Sequence, residues 1–327
     1  MADRVLLTGP NGYVGGRVAQ ALAADGRFAL RLAGRRAPSY LPSLAGVEFA
    51  QWPDLASMQA DEAPLAKSLE GVSHVVHLAA PHEIDSAKDP ERATLVTTIG
   101  TQRLLRLAEK AGVKRFVYFS TAHVYGAPLA GTLTEQSLPR PMHPYAITHK
   151  AAEDFVLATN VRPAMRGVVV RLSNSVGAPA SPEVDRWTLL ANDLCRQAVT
   201  TGKMVLKSSG LQWRDFIPMQ DVCRAVAHLL TVDREALADG LFNLGAGSAR
   251  VIDIVEMIQR IAGEEFGHKP EIVRPAPSPG EAHAELNFRT DKLRSTGFRP
   301  QGRLEQELRE TLKLCSTAFR SDFRTAL

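Results

Sequence analysis

Cysteine is scarce in this 327-residue chain, which has three cysteines, spaced far apart and forming no CxxC pair: Cys195, Cys223 and Cys315. An odd number of scattered cysteines excludes a disulfide-stabilised secreted domain and is typical of a reducing compartment. No apolar run reaches the roughly 20 residues that a membrane-spanning helix needs. The first residues lead directly into the apolar segment 5–7 without a signal-peptide pattern. We therefore expect a cytoplasmic protein with no membrane partner.

Charge of one sign is not in large excess either, because 39 Lys and Arg residues oppose 35 Asp and Glu residues, for a net charge of +4. The chain has no basic run and only 6% aromatic residues, so we expect no nucleic-acid partner. The pair His74 and His77 lies in a predicted strand, where side chains three residues apart point to opposite faces. We therefore predict no metal site there, and the lack of a GxSxG motif excludes an α/β-hydrolase nucleophile.

Short apolar segments alternate with helical patterns in the first half of the chain, which predicts an α/β fold with a doubly wound parallel sheet. The predicted strands are 4–8, 28–33, 47–52, 73–79, 114–121 and 166–172, and the predicted helices include 101–111, 187–199 and 304–314. Beyond residue 173 the regular alternation of strands and helices stops. A helix at 219–230 with a strand at 241–244 then indicates that the chain returns to the main sheet. We predict a nucleotide-binding domain of residues 1–173 plus 215–244, and a smaller, discontinuous C-terminal lobe of residues 174–214 plus 245–327.

A glycine-rich turn follows the first predicted strand and opens the first helix, with the spacing GxxGxxG. Glycines at such positions allow a tight turn and a close approach of the backbone to a pyrophosphate. The free N–H groups and the dipole of the helix N-terminus favour the negative charge of that group. The turn therefore predicts dinucleotide binding by Gly9, Asn11, Gly12, Tyr13, Val14 and Gly15.

The spacing GxxGxxG resembles the extended branch of the short-chain dehydrogenase/reductase superfamily, the NAD(P)-dependent nucleotide-sugar epimerases, dehydratases and ketoreductases. Matching segments follow in the family's order over nearly the whole chain: 77–80 (HLAA), 119–126 (FSTAHVYG), the helix from Tyr145, 171–174 (RLSN), 214–217 (RDFI) and 242–245 (FNLG). The resemblance implies a Rossmann-type fold whose smaller lobe binds substrate, with cofactor contacts at Leu78, Ala79 and Ala80. It also implies a homodimer formed through a four-helix contact that includes 101–111 and the helix from Tyr145.

The identity of the cofactor depends on the residues after the second strand. NAD specificity usually requires a carboxylate there, but the position falls at Ala33, and Arg35 and Arg36 stand where a 2′-phosphate would lie. Since guanidinium groups bind phosphate in a bidentate manner, the pair favours NADP(H) over NAD(H), with two solvated surface arginines as the alternative. Asp54, followed by Leu55, is similar to the family's adenine-contacting acid, with an ordinary surface turn as its alternative.

Two hydroxyl residues match the family's reacting centre. The resemblance implies that Tyr145 exchanges the proton on the substrate's carbinol oxygen as hydride moves to or from the nicotinamide, and that Thr121 polarises the same oxygen. The family places a lysine four residues after the tyrosine, where it lowers the tyrosine's pKa and holds the nicotinamide ribose. In this chain that position is His149, and Lys150 comes one residue later.

The displaced lysine leaves the catalytic role open. On a helix the i+4 position shares a face with Tyr145, whereas i+5 is rotated from it by about 140°. A histidine with an ordinary pKa of about 6.5 is largely neutral at pH 7, so it lowers a tyrosine pKa less than an ammonium does. Either His149 takes the role, a helix irregularity brings Lys150 in, or catalysis is lost. Thr97 is a second departure, because the family has asparagine there.

The substrate side offers three candidates. The two residues after the candidate threonine are alanine and His123, where 4,6-dehydratases typically have Asp-Glu, so dehydration lacks its proton carriers. His123 is a candidate auxiliary acid beside the sugar, with space filling as its alternative. Asn174 and Arg214 match positions that meet a nucleotide diphosphate, and the alternative for Arg214 is an ion pair with Asp215.

The sequence thus predicts an NADPH-dependent ketoreductase of a nucleotide-linked keto sugar, such as an NDP-4-keto-6-deoxyhexose, with Tyr145 as the acid. A consumed reductant suits NADPH, which motivates the reductase prediction. An NAD(P)-dependent nucleotide-sugar epimerase is the alternative enzyme. A cofactor-binding module that has lost turnover together with the lysine is the non-enzymatic alternative.

Overall fold

Strands and helices alternate along the computed structural model, which describes residues 3–57 and 61–319. The strands are β1 (Asp3–Thr8), β2 (Phe28–Gly34), β3 (Glu48–Gln51), β4 (His74–His77), β5 (Arg115–Thr121), β6 (Gly131–Leu133), β7 (Arg166–Leu172), β8 (Asn174–Val176), β9 (Lys203–Val205), β10 (Trp213–Pro218), β11 (Leu241–Leu244), β12 (Ser248–Arg250), β13 (Glu271–Val273) and β14 (Leu286–Phe288). The α-helices are α1 (Tyr13–Asp25), α2 (Ala63–Ser68), α3 (Glu83–Lys88), α4 (Pro90–Ala93), α5 (Gly100–Lys110), α6 (Pro144–Ala158), α7 (Leu190–Thr200), α8 (Met219–Thr231), α9 (Val251–Phe266), α10 (Asp291–Ser295) and α11 (Leu304–Phe319).

Seven parallel strands form the central sheet in the order β11-β7-β5-β4-β1-β2-β3. Their continuous apolar runs suit strands that are covered on both faces, and Val168, Val169 and Val170 are fully buried. The strand order reverses between β1 and β4, which is where α/β sheets of this kind bind ligands. The predicted Rossmann-type α/β fold is confirmed.

The carboxyl ends of three central strands lie side by side, since Thr8 pairs with Ala33 of β2 and with His77 of β4. β4 ends two residues earlier than predicted because the amides of Leu78 and Ala79 leave the ladder and donate to Thr8 Oγ1, at 3.1 and 3.2 Å. These two hydrogen bonds direct the chain after β4 across the carboxyl end of β1. It brings the predicted segment 78–80 next to the glycine turn.

A second apolar core lies outside the central sheet, where α7, α9 and α11 pack together around Leu194, Ile258 and Leu308. The small sheet β12-β10-β8 lies between this core and the central sheet. Within the segment predicted to return, β11 pairs with β7 in the central sheet, whereas β10 belongs to the small sheet. The division into domains stays a prediction, and residues 1, 2, 58–60 and 320–327 of its ranges lie outside the described residues.

Helical structure before α5 begins earlier than the predicted 101–111. α4 continues through a π-helical segment at Thr94–Ile99 directly into α5. Such segments are rare and are frequently found at functional sites. Among the described residues, no helix combines the length and the apolar character that crossing a membrane requires.

Candidate active site

A cleft opens at the carboxyl ends of the central strands. It consists of two cavities, of about 710 and 550 Å³, that share lining residues such as Gly9, Gly12 and Leu78 and are therefore continuous. The larger cavity reaches from the glycine turn to Tyr145 and the small sheet. The smaller one extends past the end of β2 to Asp54.

The glycine turn has the geometry that a dinucleotide pyrophosphate needs. Gly9 has a φ of 71°, and a Cβ on Gly15 would lie 2.1 Å from the carbonyl oxygen of Gly9, so both positions require glycine. α1 begins at Tyr13 without a side-chain cap and without an acid in its first turn. Its first amides are therefore left for an anion in the cleft, and the turn fits the cofactor that the sequence predicts. All the predicted residues of the turn line the cleft: Gly9, Asn11, Gly12, Tyr13, Val14 and Gly15.

The side chain of Tyr13 has a second task. Its ring is buried, and its hydroxyl donates to the carbonyl of Gly177 at 2.7 Å. Burial raises the pKa of this phenol far above its usual value, so the hydroxyl stays a donor. Tyr13 thus holds the phosphate-binding turn against the segment that follows β8.

The far end of the cleft carries the residues predicted to bind the adenosine half of the cofactor. Arg35 and Arg36 follow β2, are exposed, and line both cavities. The Asn11 side chain donates to the carbonyl of Arg36 at 2.8 Å, which ties the arginine backbone to the glycine turn. Asp54 and Leu55 line the smaller cavity, and the Asp54 carboxylate accepts a hydrogen bond from Arg92 at 2.7 Å.

His77 organises the loop between β4 and α3. Its Nδ1 lies 2.7 Å from Thr8 Oγ1 and its Nε2 lies 3.1 Å from Thr101 Oγ1, which donates to the carbonyl of Thr97 at 2.5 Å. Because Thr8 Oγ1 already accepts two backbone amides, its own proton goes to Nδ1, and the imidazole proton lies on Nε2. Burial lowers the pKa of His77 to about 3, with the nearby His149 acting in the same direction, so this imidazole is neutral at neutral pH. It links the cofactor loop to the π-helical segment.

Thr121 and Tyr145 come together at the centre of the larger cavity. Thr121 ends β5, and Tyr145 is the second residue of α6, where its amide donates to His143 Nδ1 at 3.2 Å. Burial and the charge of Glu83 raise the pKa of Tyr145 to about 12, although Arg186 and a hydrogen bond with Thr121 act in the opposite direction. The phenol is therefore protonated at neutral pH.

His149 lies on the same face of α6 as Tyr145 and lines the cleft, with the two ring centroids 4.5 Å apart. Burial lowers the pKa of His149 to about 3, and the Phe119 carbonyl opposes this shift only in part. Lys150 instead forms an ion pair with Asp154 at 2.5 Å, and α6 is α-helical throughout, so no irregularity turns Lys150 into the cleft. Of the three interpretations of this helix, the structure does not support the entry of Lys150, and the role of His149 and the loss of catalysis both stay predictions.

The candidate substrate residues line the other side of the cavity: His123, Asn174 and Arg214. Asn174 donates from Nδ2 to the backbone carbonyl of Asp215 at 2.8 Å, which fixes its amide at the cleft wall. The Asp215 carboxylate accepts from Ser173 at 2.5 Å and from the amide of Gly247 at 2.9 Å. Asp215 is thus engaged elsewhere, and the ion pair with Arg214 that the sequence left open does not form between these two described residues.

Two charged residues of the site escaped the sequence analysis. Arg186 donates to Glu83 at 2.9 Å, which joins the segment before α7 to the start of α3 across the mouth of the cleft. Both charges act on the pKa of Tyr145. No motif marks them, because they are 103 positions apart and meet only through the fold. Among the described residues, no group of three His, Cys, Asp or Glu side chains is arranged to hold a metal ion.

Comparison with known proteins identifies the family. Residues 5–245 match the NAD dependent epimerase/dehydratase family, which is more than half of the chain. The chain belongs to this family. The family and enzyme type that the sequence predicts, an NAD(P)-dependent enzyme of the extended short-chain dehydrogenase/reductase branch, are therefore confirmed.

Individual members of the family resemble the whole chain. The dTDP-D-glucose 4,6-dehydratase of Mus musculus is 27% identical, over 95% of this chain and 88% of that protein. The GDP-6-deoxy-D-mannose reductase of Pseudomonas aeruginosa is also 27% identical, over 95% of this chain and 97% of that protein. The solved structure of MoeE5 in complex with UDP-glucose and NAD superposes with a TM-score of 0.74 at 26% identity, over 95% of this chain and 98% of that one. The first two relatives are thus a dehydratase and a reductase named for nucleotide sugars, and the third binds a nucleotide sugar together with NAD.

Proposed function

We propose that this protein reduces the ketone of a nucleotide-linked keto sugar, such as an NDP-4-keto-6-deoxyhexose, with NADPH as the reductant. The observation that carries the proposal is the placement of Thr121 and Tyr145 in the larger cavity, with the His149 ring 4.5 Å from Tyr145 and Lys150 paired with Asp154 instead. Burial favours the protonated phenol of Tyr145, which can donate its proton to a ketone oxygen. Lys150 does not lie beside this phenol to favour the phenolate that oxidation of a carbinol needs.

The residues of the cleft divide the work of the reaction. NADPH, when bound, would supply the hydride. Tyr145 donates its phenolic proton to the oxygen of the ketone, and Thr121 donates a hydrogen bond that polarises the same oxygen. The uncapped start of α1 holds the pyrophosphate, and Asn174 and Arg214 orient the nucleotide diphosphate of the substrate.

The reductant is proposed from the arginine pair. Neither Arg35 nor Arg36 donates a side-chain hydrogen bond to another group in the described part of the chain, so both guanidinium groups are available to a 2′-phosphate. NAD(H) is the alternative cofactor, and the structurally similar protein MoeE5 was solved in complex with NAD. The reductase assignment gains support from the Pseudomonas relative, although its 27% identity is matched by a dehydratase.

The expected homodimer is part of the same proposal. α6 exposes Ile147 and Phe155, which are 50% and 43% accessible, and a second copy would cover them. Sedimentation velocity should give a dimer for the unmodified protein. The cytoplasmic location stays a prediction.

The test of the function is a stoichiometric one. Protein freed of bound cofactor is titrated with NADPH and NADH by fluorescence, and then given NDP-4-keto-6-deoxyhexoses while absorbance at 340 nm reports NADPH. We expect one NADPH oxidised for each sugar reduced. Product formed without net NADPH oxidation would establish the epimerase instead, and tight cofactor binding with no turnover on any keto sugar would favour the non-enzymatic module.

A further inference from the structure

A buried tyrosine touches the imidazole at the reacting centre. The hydroxyl of Tyr118, on β5, lies 2.7 Å from Nδ1 of His149, on α6. Tyr118 is 1% exposed and His149 is 4% exposed, so no bulk water reaches the contact. The other ring nitrogen of His149, Nε2, is also buried and has no hydrogen-bond partner among the described residues.

The hydrogen-bonding capacity of the two groups fixes where the imidazole proton lies. Burial keeps His149 neutral, so its ring carries one N–H. Burial and the charge of Glu153 raise the pKa of Tyr118 well above its usual value, so its hydroxyl is protonated too. Within the part of the chain described, the Tyr118 hydroxyl meets no hydrogen-bond acceptor other than His149. Were the imidazole proton on Nδ1, the Tyr118 proton would have no acceptor, which is costly for a buried group.

We infer that Tyr118 is a positioning residue that donates to Nδ1 of His149 and thereby keeps the imidazole proton on Nε2, where it is offered to a ligand in the cleft. At Nε2, a neutral imidazole presents either a donor or an acceptor, depending on its tautomer. The hydrogen bond from Tyr118 to Nδ1 selects the tautomer in which Nε2 is the donor. We identify this ligand as the nicotinamide ribose, one of whose hydroxyl oxygens accepts from Nε2–H, and this identification rests on the proposed function. Nε2 is buried beside Tyr145 and makes no hydrogen bond with the described residues, although the backbone carbonyl of Phe119 lies near the imidazole, so its proton is left for such a contact.

The tautomer can be read directly by NMR. Histidine labelled with ¹⁵N gives different long-range ¹H–¹⁵N correlation patterns for the Nδ1–H and Nε2–H tautomers, and comparison with His149→Gln assigns the signal among the nine histidines. We expect an Nε2–H signal for His149 that does not titrate between about pH 5 and pH 8, as its low pKa requires. An Nδ1–H tautomer in the unmodified protein would overturn the inference. This measurement needs no substrate.

Removal of one hydroxyl tests the role of Tyr118. Tyr118→Phe should give a mixture of tautomers and weaken NADPH binding by about tenfold, the loss of roughly one hydrogen bond. Tyr125→Phe is the matched control, because that hydroxyl is also buried and donates at 2.7 Å, to Asn243, but does not touch His149. In the control, the His149 signal and NADPH binding should both stay unchanged. An unchanged His149 tautomer in Tyr118→Phe would overturn the inference.

Introducing Tyr118→Phe into a His149→Lys variant distinguishes a positioning role of Tyr118 from a role in packing alone. In His149→Lys the donor is an ammonium, which has no tautomers, so adding Tyr118→Phe should change NADPH binding by less than about twofold. The same tenfold loss in both backgrounds would show that Tyr118 acts through packing and would overturn the inference. If the NMR result holds but no keto sugar is reduced, the proposed function fails while the assignment of the His149 tautomer stands.

Discussion

At the scale of single residues, the reacting centre is governed by burial. Tyr145, which is partly exposed to the cleft, touches the buried ring of His149 edge to face, and burial favours the uncharged form of each. No ammonium group compensates, because Lys150 is paired with Asp154. The phenolic proton of Tyr145 is therefore in place at neutral pH, and the proposed reduction transfers it to the ketone oxygen.

Tyr145→Phe removes that proton and little else. We expect turnover with the keto sugar to fall by about 10² to 10⁴, the usual contribution of a positioned acid, while NADPH affinity stays within about twofold. Initial rates at 340 nm and a fluorescence titration measure the two quantities. Tyr125→Phe, which loses a buried hydroxyl outside the cleft, should keep its turnover. Near-normal rates in Tyr145→Phe would mean that another group protonates the ketone.

The arginines after β2 should decide between the two nicotinamide cofactors. Arg35→Ser and Arg36→Ser should each weaken NADPH binding by about tenfold or more, since a charge-assisted hydrogen bond contributes roughly 1.5–3 kcal/mol, and should leave NADH binding unchanged. Arg27→Ser is the control, because Arg27 precedes the same strand but pairs with Asp25 away from the cleft. Equal losses for NADPH and NADH would remove the arginines from cofactor selection.

The sequence predicts some site residues and misses others, for physical reasons. Thr121 and Tyr145 could be predicted because each belongs to a local pattern that follows a strand or opens a helix. Glu83 and Arg186 could not, because neither carries a local signal and their contact depends on how the chain folds back across the cleft. The partner of His149 was missed for the same reason, since Tyr118 looks like any apolar residue of a buried strand.

At the scale of elements, predictability follows segment length and apolar content. The central strands have four to seven residues, most of them apolar, and lie within two residues of their predicted bounds. β6, β8, β12, β13 and β14 have three residues each, too few for a periodic pattern, and the sequence did not predict them. The π-helical segment before α5 was missed as well, because its apolar spacing differs little from that of an α-helix.

The turn between β1 and α1 allows a sharp test of an element. Gly15→Ala would place a Cβ 2.1 Å from the Gly9 carbonyl oxygen, so α1 must move away from β1. We expect NADPH binding to weaken by about 100-fold or more, together with a lower melting temperature. Gly100→Ala is the matched control, since its Cβ meets only ordinary contacts, at 3.4 Å or more, and the residue lies in α5. An intact NADPH affinity in Gly15→Ala would contradict a pyrophosphate bound at this turn.

At the scale of the whole molecule, one buried ion pair joins the first helix to the last. Glu307 of α11 is 2% exposed, and both terminal nitrogens of Arg17 on α1 lie 3.3 Å from its oxygens. The same carboxylate accepts from the amide of Gln220, at the start of α8, at 2.6 Å. Three helices from distant parts of the chain thus converge on one carboxylate, and α1 is also the helix that opens at the phosphate-binding turn.

Glu307→Ala should therefore destabilise the molecule as a unit. It leaves the Arg17 guanidinium and a backbone amide without their acceptor, which we expect to lower the free energy of unfolding by about 3 kcal/mol. Arg260→Ala breaks exposed pairs with Glu264 and Glu305 and should cost less than about 1 kcal/mol. Urea unfolding followed by tryptophan fluorescence and by far-UV circular dichroism measures both variants. Because the carboxylate joins α1 and α8 to α11, the two probes should shift together, and a shift in only one would show that the lobe unfolds independently of the nucleotide-binding domain.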